Sequence, residues 1–201
     1  MAKNSHPLSS QPSSDAQDLH PGLRRSGSWP GRFLFYISPL MALASALWIS
    51  LGRSLWGAGG ELQLIFLISF GPALALILLL SFSYSLKELR LQEKGVRAGL
   101  PQVMSLVLLA SWFMAGLFGL WVPDRIEGRN VSAFAALLGP EVMGLSAAFA
   151  NTTGILTFAL AIASLLLALG HYRRARDLRR GIDSQVREEL ERQESIYDFI
   201  D

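Results

Sequence analysis

The stretch LIFLISFGPALALILLL, residues 64–80, contains twelve Leu, Ile and Phe side chains and no charged residue. An α-helix rises 1.5 Å per residue, so about twenty residues cross a hydrocarbon core roughly 30 Å thick. Each of the twelve side chains favours insertion into lipid by roughly 0.3 to 0.6 kcal/mol, which gives an upper bound of about 4 to 7 kcal/mol. The stretch predicts a transmembrane helix, which we place at residues 62–86.

Three further blocks of similar length also lack Asp, Glu, Lys and Arg, and they predict spans at 33–51, 103–122 and 154–172. A soluble amphipathic helix would carry charges along one face. Helices without any charged residue are expected to contact lipid or one another rather than water. The predicted fold class is therefore all-α: a polytopic membrane protein whose domain, residues 32–172, is a bundle of four transmembrane helices.

The basic residues predict how this bundle is oriented. Fifteen of the 18 Lys and Arg residues fall in the N-terminal tail, in the loop between spans two and three, or after the fourth span. The remaining three are Arg53, Arg125 and Arg129, in the other two loops. Because short cytoplasmic segments are enriched in Lys and Arg, we expect both termini to be cytoplasmic.

The two ends of the chain differ from the bundle in composition. Residues 1–31 are rich in Ser, Pro, Gly, Asp and Gln, which predicts a disordered cytoplasmic tail. Residues 173–201 carry opposite charges four positions apart, such as Arg187 with Glu191, and an apolar stripe through Leu178, Ile182 and Val186. This spacing predicts that the fourth span continues as a cytoplasmic amphipathic helix.

The loop between spans three and four becomes apolar over residues 131–150, and Glu141 is the only charged residue there. Gly139 followed by Pro140 predicts a break and a new helix start. Two short helices are expected, at 132–138 and 140–150, and both are too short to span. We call these two helices the outer hairpin. Three placements are possible for it: it lies at the interface, it enters the membrane, or it caps the bundle.

Small residues recur every four positions in the first and third spans. In lipid, such stripes let helix backbones approach closely. The candidate helix-packing residues, within one bundle or between protomers, are Ser38, Ala42, Ala46, Ser50, Ser111, Ala115 and Gly119.

Five arginines follow the fourth span closely. Near an anionic membrane surface a basic residue contributes about 1 kcal/mol of attraction. The candidate contacts with lipid headgroups are Arg173, Arg174, Arg176, Arg179 and Arg180, which also serve as an orientation anchor.

The sequence carries little catalytic chemistry. It has no cysteine, which excludes disulfides, thiolate catalysis and Cys-ligated metals, and it has only three histidines. No glycine-rich phosphate loop, zinc helix or serine elbow is present. We therefore predict no enzyme activity, no cofactor and no metal, and a net charge of +2 implies no nucleic-acid partner. A lipid-modifying enzyme would have to use Asp124, Arg125, Glu127 and Glu141.

These features favour a non-enzymatic accessory, assembly or scaffold subunit of a membrane complex. The alternative is a transporter or channel component whose pathway forms only in an oligomer. The expected partners are the bilayer and a membrane protein or a second copy. Arginine outnumbers lysine by 15 to 3, which indicates a GC-rich bacterial source and hence a multi-pass protein of the cell (inner) membrane.

Overall fold

The computed structural model describes residues 28–92 and 99–180. Four of its helical segments are long and apolar enough to cross a membrane: Trp29–Trp56, Glu61–Leu91, Gln102–Trp121 and Pro140–Arg179. The prediction of a mostly helical chain with four such segments is confirmed. The segments alternate in direction, so one end of the bundle carries residues 52–60 and 123–142, and we call it the loop end. The opposite end carries the starts of the first and third segments, and we call it the terminal end.

The first segment is helix α1, Trp29–Leu51, followed by a 3₁₀ turn, Gly52–Trp56. Ser28 caps α1, accepting a hydrogen bond from the amide of Gly31, and Pro30 occupies its first turn, where a missing N–H costs nothing. The turn ends at Gly57, whose φ of 65° lies in the left-handed region that favours glycine.

The second segment consists of α2, Glu61–Ile65, a π-helical turn, Phe66–Phe70, and α3, Gly71–Leu91. Pro72 is the second residue after the π turn, and proline cannot donate a backbone hydrogen bond. The amide of Gly71 donates to the carbonyl of Phe66, which also accepts from the Ser50 hydroxyl at 3.1 Å. The helix is thus distorted into a π turn beside this proline, and the hydrogen bond from Ser50 holds that turn against α1.

The third segment is α4, Gln102–Trp121, and a short β-hairpin follows it. Strands β1, Asp124–Ile126, and β2, Arg129–Val131, pair antiparallel, with Asp124 opposite Val131. Glu127 and Gly128 form the turn with φ of 49° and 79°. Two consecutive positive φ values are typical of tight hairpins. The all-α prediction missed this hairpin, because its strands of three residues are too short for a periodic pattern.

The fourth segment corrects the prediction for residues 131–150. Helix α5, Ala133–Leu138, matches the first expected short helix, but the second does not exist as a separate element. After a 3₁₀ turn, Pro140–Val142, helix α6 runs unbroken over Met143–Arg179. The predicted fourth span begins only at residue 154, yet the hydroxyls of Thr153 and Thr157 bond to carbonyls of their own helix and leave it intact.

The predicted tails lie mostly beyond the described residues. Helix α1 begins at Trp29, inside the expected N-terminal tail, and residues 1–27 are outside the description. Helix α6 continues seven residues past the predicted end of the fourth span, to Arg179. The rest of the expected amphipathic helix, 181–201, also lies outside it.

The bundle has a small core and a large apolar outer surface. Helices α1 and α6 each pack against both α3 and α4, with Ile49, Leu74 and Met104 among the fully buried side chains. Many large apolar side chains point outward; Leu40 is 68% exposed and Ile155 is 62% exposed. A soluble monomer rarely exposes so much contiguous apolar surface. This surface is compatible with a membrane location.

Candidate functional site: a buried ion pair at the loop end

Arg53 and Asp124 form a buried ion pair at the loop end. Arg53 lies in the 3₁₀ turn after α1, and Asp124 is the first residue of β1. Their Nη1 and Oδ2 atoms are 3.3 Å apart, and both side chains are 0% exposed. A buried charge without a partner is very costly, so each of these residues depends on the other.

Asp124 also accepts three backbone hydrogen bonds. Its Oδ2 accepts from the amide of Gly60 at 2.9 Å, and its Oδ1 accepts from those of Leu62 and Arg125, each at 2.8 Å. Gly60 is the N-cap position of α2 and has no side chain to cap the helix. The carboxylate of Asp124 supplies that cap from a distant part of the chain, at the positive end of the helix dipole.

The guanidinium of Arg53 is enclosed on its other sides. Its Nη2 lies 3.5 Å from the carbonyl of Ile49, and its Cζ lies 4.4 Å from the centre of the Phe66 ring. A cation over an aromatic face is attracted electrostatically to the ring, and the attraction is stronger where water is excluded. Phe66 in turn contacts the rings of Phe70 and Phe118. The ion pair is thereby joined to the aromatic core through the residue that opens the π turn.

A second buried polar cluster ties α6 to the same end. The Ser146 hydroxyl donates to the carbonyl of Trp121 at 2.7 Å and lies 2.8 Å from the hydroxyl of Ser132. Ser132 caps α5 by accepting from the amide of Ala135 at 3.0 Å. These side chains join α4, the start of α5 and α6.

Together these contacts make a structural latch. The Asp124 carboxylate is saturated by four donors and shielded from solvent, so it is poorly placed to exchange protons with a substrate. Among residues 28–92 and 99–180, no three His, Asp or Glu side chains lie close enough to hold a metal ion. These contacts fix the positions of the two loops and of the start of the second segment.

The expected helix-packing residues lie at contacts inside the bundle. All seven are buried: Ser38, Ala42, Ala46, Ser50, Ser111, Ala115 and Gly119. The Ser111 hydroxyl lies 3.4 Å from the carbonyl of Thr157 on α6. A Cβ at Gly119 would lie 2.5 Å from Nε1 of Trp48 on α1. The stripes therefore face neighbouring helices of this chain.

The arginine cluster sits on the last turns of α6 and the residue after it. Arg173, Arg174, Arg179 and Arg180 are exposed, whereas Arg176 is partly buried and its Nε is 3.7 Å from Oδ1 of Asp177. The four exposed side chains are free to contact headgroups or solvent at the terminal end.

Sequence reasoning missed the latch itself. On the sequence alone, Arg53 counts only as a loop cation and Asp124 only as a residue that a lipid-modifying enzyme would need, and the two are not paired. A usable signal existed, because each is the first charged residue after an uncharged span and both spans end on the same side. A third stripe of small residues, on α6, was also missed although its spacing of three or four is visible: Ser146, Ala150, Gly154, Thr157, Ala161, Ser164 and Ala168.

An apolar groove opens beside the latch, between the second segment and α6. It has a volume of about 740 Å³. Phe118 of α4 lies against Gly154, where a Cβ would lie 2.7 Å from the ring. Phe66 is shared between the groove and the latch. The exposed residues Phe70, Asn151 and Ile155 line its walls.

Comparison of this chain with protein-family models, with curated proteins and with solved structures found no match.

Proposed function

We propose that this protein is a non-enzymatic accessory or assembly subunit of a membrane complex, and that it holds a transmembrane helix of a partner in the groove between its second segment and α6. The groove is the observation that carries the proposal. The proposed setting is a bacterial inner membrane, with both termini in the cytoplasm.

The chemistry of the groove favours a helix as the occupant over a lipid tail. Its α6 wall carries short side chains at Ala147, Asn151 and Ala159 between larger ones such as Ile155, and the short positions leave room for the side chains of a neighbouring helix. The side-chain amide of Asn151 is exposed and makes no hydrogen bond within the described residues. An asparagine on a membrane helix can bond across to another helix, whereas an acyl chain offers it nothing.

The latch supports the same proposal. Because Arg53 and Asp124 hold Phe66, and Phe66 lines the groove, one wall of the groove is fixed before any partner arrives. A preformed surface loses less entropy on binding than one that must be ordered.

The test is photo-crosslinking in native membranes. A photoreactive amino acid replaces Ile155, which is 62% exposed in the groove, and in a separate variant Leu40, which is 68% exposed on α1 outside it. We expect discrete protein adducts from position 155 and only lipid adducts from position 40. Lipid adducts alone from both positions would contradict the proposal.

The transporter or channel alternative has less support. The space enclosed by Ser38, Ser81, Ser85, Met104 and Trp112 lies inside the bundle and has no room for a water molecule. The alternative places its pathway between copies of the chain, and no contact in the described residues favours that arrangement over the groove.

A further inference from the structure

We infer that the groove between the second segment and α6 continues past the lipid at the loop end, and that the partner helix it holds extends, as an apolar helix, beyond the hydrocarbon core. The inference rests on the proposed function for the groove as a docking site. It adds the shape and the surface chemistry of the partner.

The two walls of the groove are longer than a membrane is thick. Residues 143–172 of α6 carry no charge, and at 1.5 Å per residue they measure about 45 Å. The uncharged residues 62–86 of the second segment measure roughly 37 Å, against about 30 Å for the hydrocarbon core. Helix α4, Gln102–Trp121, is about 30 Å long and fits the core. The apolar excess therefore lies on the groove side of the bundle.

Tilting does not remove the excess of α6. Membrane helices tilt by about 20° on average and by up to about 40°. At these two angles the apolar stretch of α6 still covers roughly 42 Å and 34 Å along the membrane normal. Part of this stretch therefore stands outside the hydrocarbon core at either angle.

The position of the terminal end places this excess at the loop end. There the ring of Tyr172 on α6 contacts the ring of Tyr84 on α3, with centroids 5.7 Å apart, and Arg173 follows directly. Interfacial aromatic and basic residues hold a helix end at headgroup level. Measured from Tyr172 at a tilt of about 20°, the hydrocarbon core ends near Asn151. Residues 143–150, about two turns of helix, lie beyond it.

These two turns are apolar on a side that no other part of the described chain covers. Leu145 is 50% exposed and Phe149 is 44% exposed. Helix α5 covers instead the side that carries Ser146, whose hydroxyl bonds to Ser132. Lipid headgroups reach only roughly 5–7 Å past the core, and they are polar. An exposed apolar surface outside lipid is typical of a protein interface.

The groove itself crosses the edge of the hydrocarbon core. Phe158 and Ile162 line it at the depth of the core, whereas Leu62 and Ala147 line it at the loop end. Among its described lining residues, Asn151, between these two parts, has the only polar side chain. An acyl chain ends at its headgroup, so lipid fills only the inner part. A helix fills both parts if it is apolar along both and carries a hydrogen-bonding side chain opposite Asn151.

The test uses single-cysteine variants, since the chain has no cysteine of its own. Ala147→Cys and Ile162→Cys place a thiol at exposed positions in the outer and inner parts of the groove. Asn130→Cys is the matched control, exposed on β2 outside the groove. A membrane-impermeant maleimide is supplied on both sides of the bilayer. Labelling rates are compared between liposomes that contain only the full-length protein and native membranes.

The liposomes measure depth without any partner. Ala147→Cys should label about as fast as Asn130→Cys, and Ile162→Cys should stay unlabelled. If Ala147→Cys is as unreactive as Ile162→Cys, lipid covers the outer part of the groove and the inference is wrong.

The native membranes measure occupancy. Ala147→Cys should lose most of its labelling there, while Asn130→Cys keeps its rate. Unchanged labelling of Ala147→Cys would overturn the inference. If protein adducts still form from position Ile155 in that case, the partner ends within the membrane, and the proposed function stands although the inference fails.

The hydrogen bond at Asn151 is tested in the same assay. Asn151→Leu, added to Ala147→Cys, should restore labelling in native membranes because the partner loses its polar contact. Asn151→Gln, which keeps an amide, is the control and should retain the protection. Equal protection in both double variants would show that the partner makes no bond to Asn151.

Discussion

Arg53 and Asp124, 71 positions apart in the sequence, form an ion pair at 3.3 Å in which neither side chain reaches solvent. The pair joins the turn after α1 to the hairpin after α4. Because the same carboxylate caps α2, one residue controls the geometry of three connections at the loop end.

Arg53→Met should destabilise the protein by about 3–5 kcal/mol, because it leaves the Asp124 carboxylate buried without its counter-charge. The free energy of unfolding is measured by titrating the protein from mild detergent into sodium dodecyl sulfate. Arg125→Met is the matched control: Arg125 is exposed on β1 next to Asp124, and its loss should change stability by less than about 0.5 kcal/mol.

The double variant Arg53→Met with Asp124→Asn should be more stable than the sum of the two single losses predicts. Removing both charges leaves no unpaired ion in the site, and coupling of about 0.5–3 kcal/mol is expected for residues in contact. The same unfolding titration on the four proteins of the cycle provides the measurement. Strictly additive losses would mean that the two charges do not stabilise each other.

Gly119→Ala should destabilise the bundle by about 1–3 kcal/mol through overpacking, since the new methyl would collide with the Trp48 indole. The collision also disturbs the hydrogen bond from Nε1 of Trp48 to the carbonyl of Gly116 at 3.0 Å.

Gly116→Ala is the control for this change. It lies one turn earlier on α4, and a Cβ there meets no atom within 4 Å. It should leave stability unchanged or raise it by up to about 1 kcal/mol, since alanine favours helix. Equal losses at the two glycines would refute a specific contact between α1 and α4.

Ser146→Ala should cost about 1–2 kcal/mol, because the carbonyl of Trp121 and the hydroxyl of Ser132 then lose a buried partner. Ser69→Ala is compared with it, since the Ser69 hydroxyl is exposed and bonds only to its own helix, at the carbonyl of Ile65. Proteolysis of the loop between α4 and α6 gives a second measurement and should accelerate only in the Ser146 variant.

Reporter fusions test the proposed orientation. Alkaline phosphatase and green fluorescent protein fused after Gly59, Gly95 and Asp201 should report outside, inside and inside, because 15 of the 18 basic residues lie on the predicted cytoplasmic side. Any other pattern of reporter signals would show that the predicted orientation is wrong.

The long helices were predictable because each is specified locally. A run of uncharged apolar residues favours a membrane-spanning helix whatever other part of the chain lies beside it. The predicted spans accordingly fall inside the observed helical segments to within a few residues. The exception is α6, whose first turns were assigned to a separate short helix. There the polar side chains of Thr153 and Thr157 bond within the helix, which the one-dimensional pattern does not reveal.

The loop end was much harder to predict. A three-residue strand such as Asp124–Ile126 carries no periodicity, and its pairing depends on a turn formed by Glu127 and Gly128. Likewise, nothing local to Gly60 shows that a carboxylate 64 positions away caps the helix that it starts.

By itself the sequence determined that this chain has four apolar helices long enough to cross a membrane. The reason is that the free energy of transferring a helix into lipid is a sum over residues that are neighbours in the sequence. Only the tertiary structure decided which charges are buried, which small residues meet and where the groove opens. Those properties arise from contacts between residues far apart in the chain, and their energies exist only once the helices have packed.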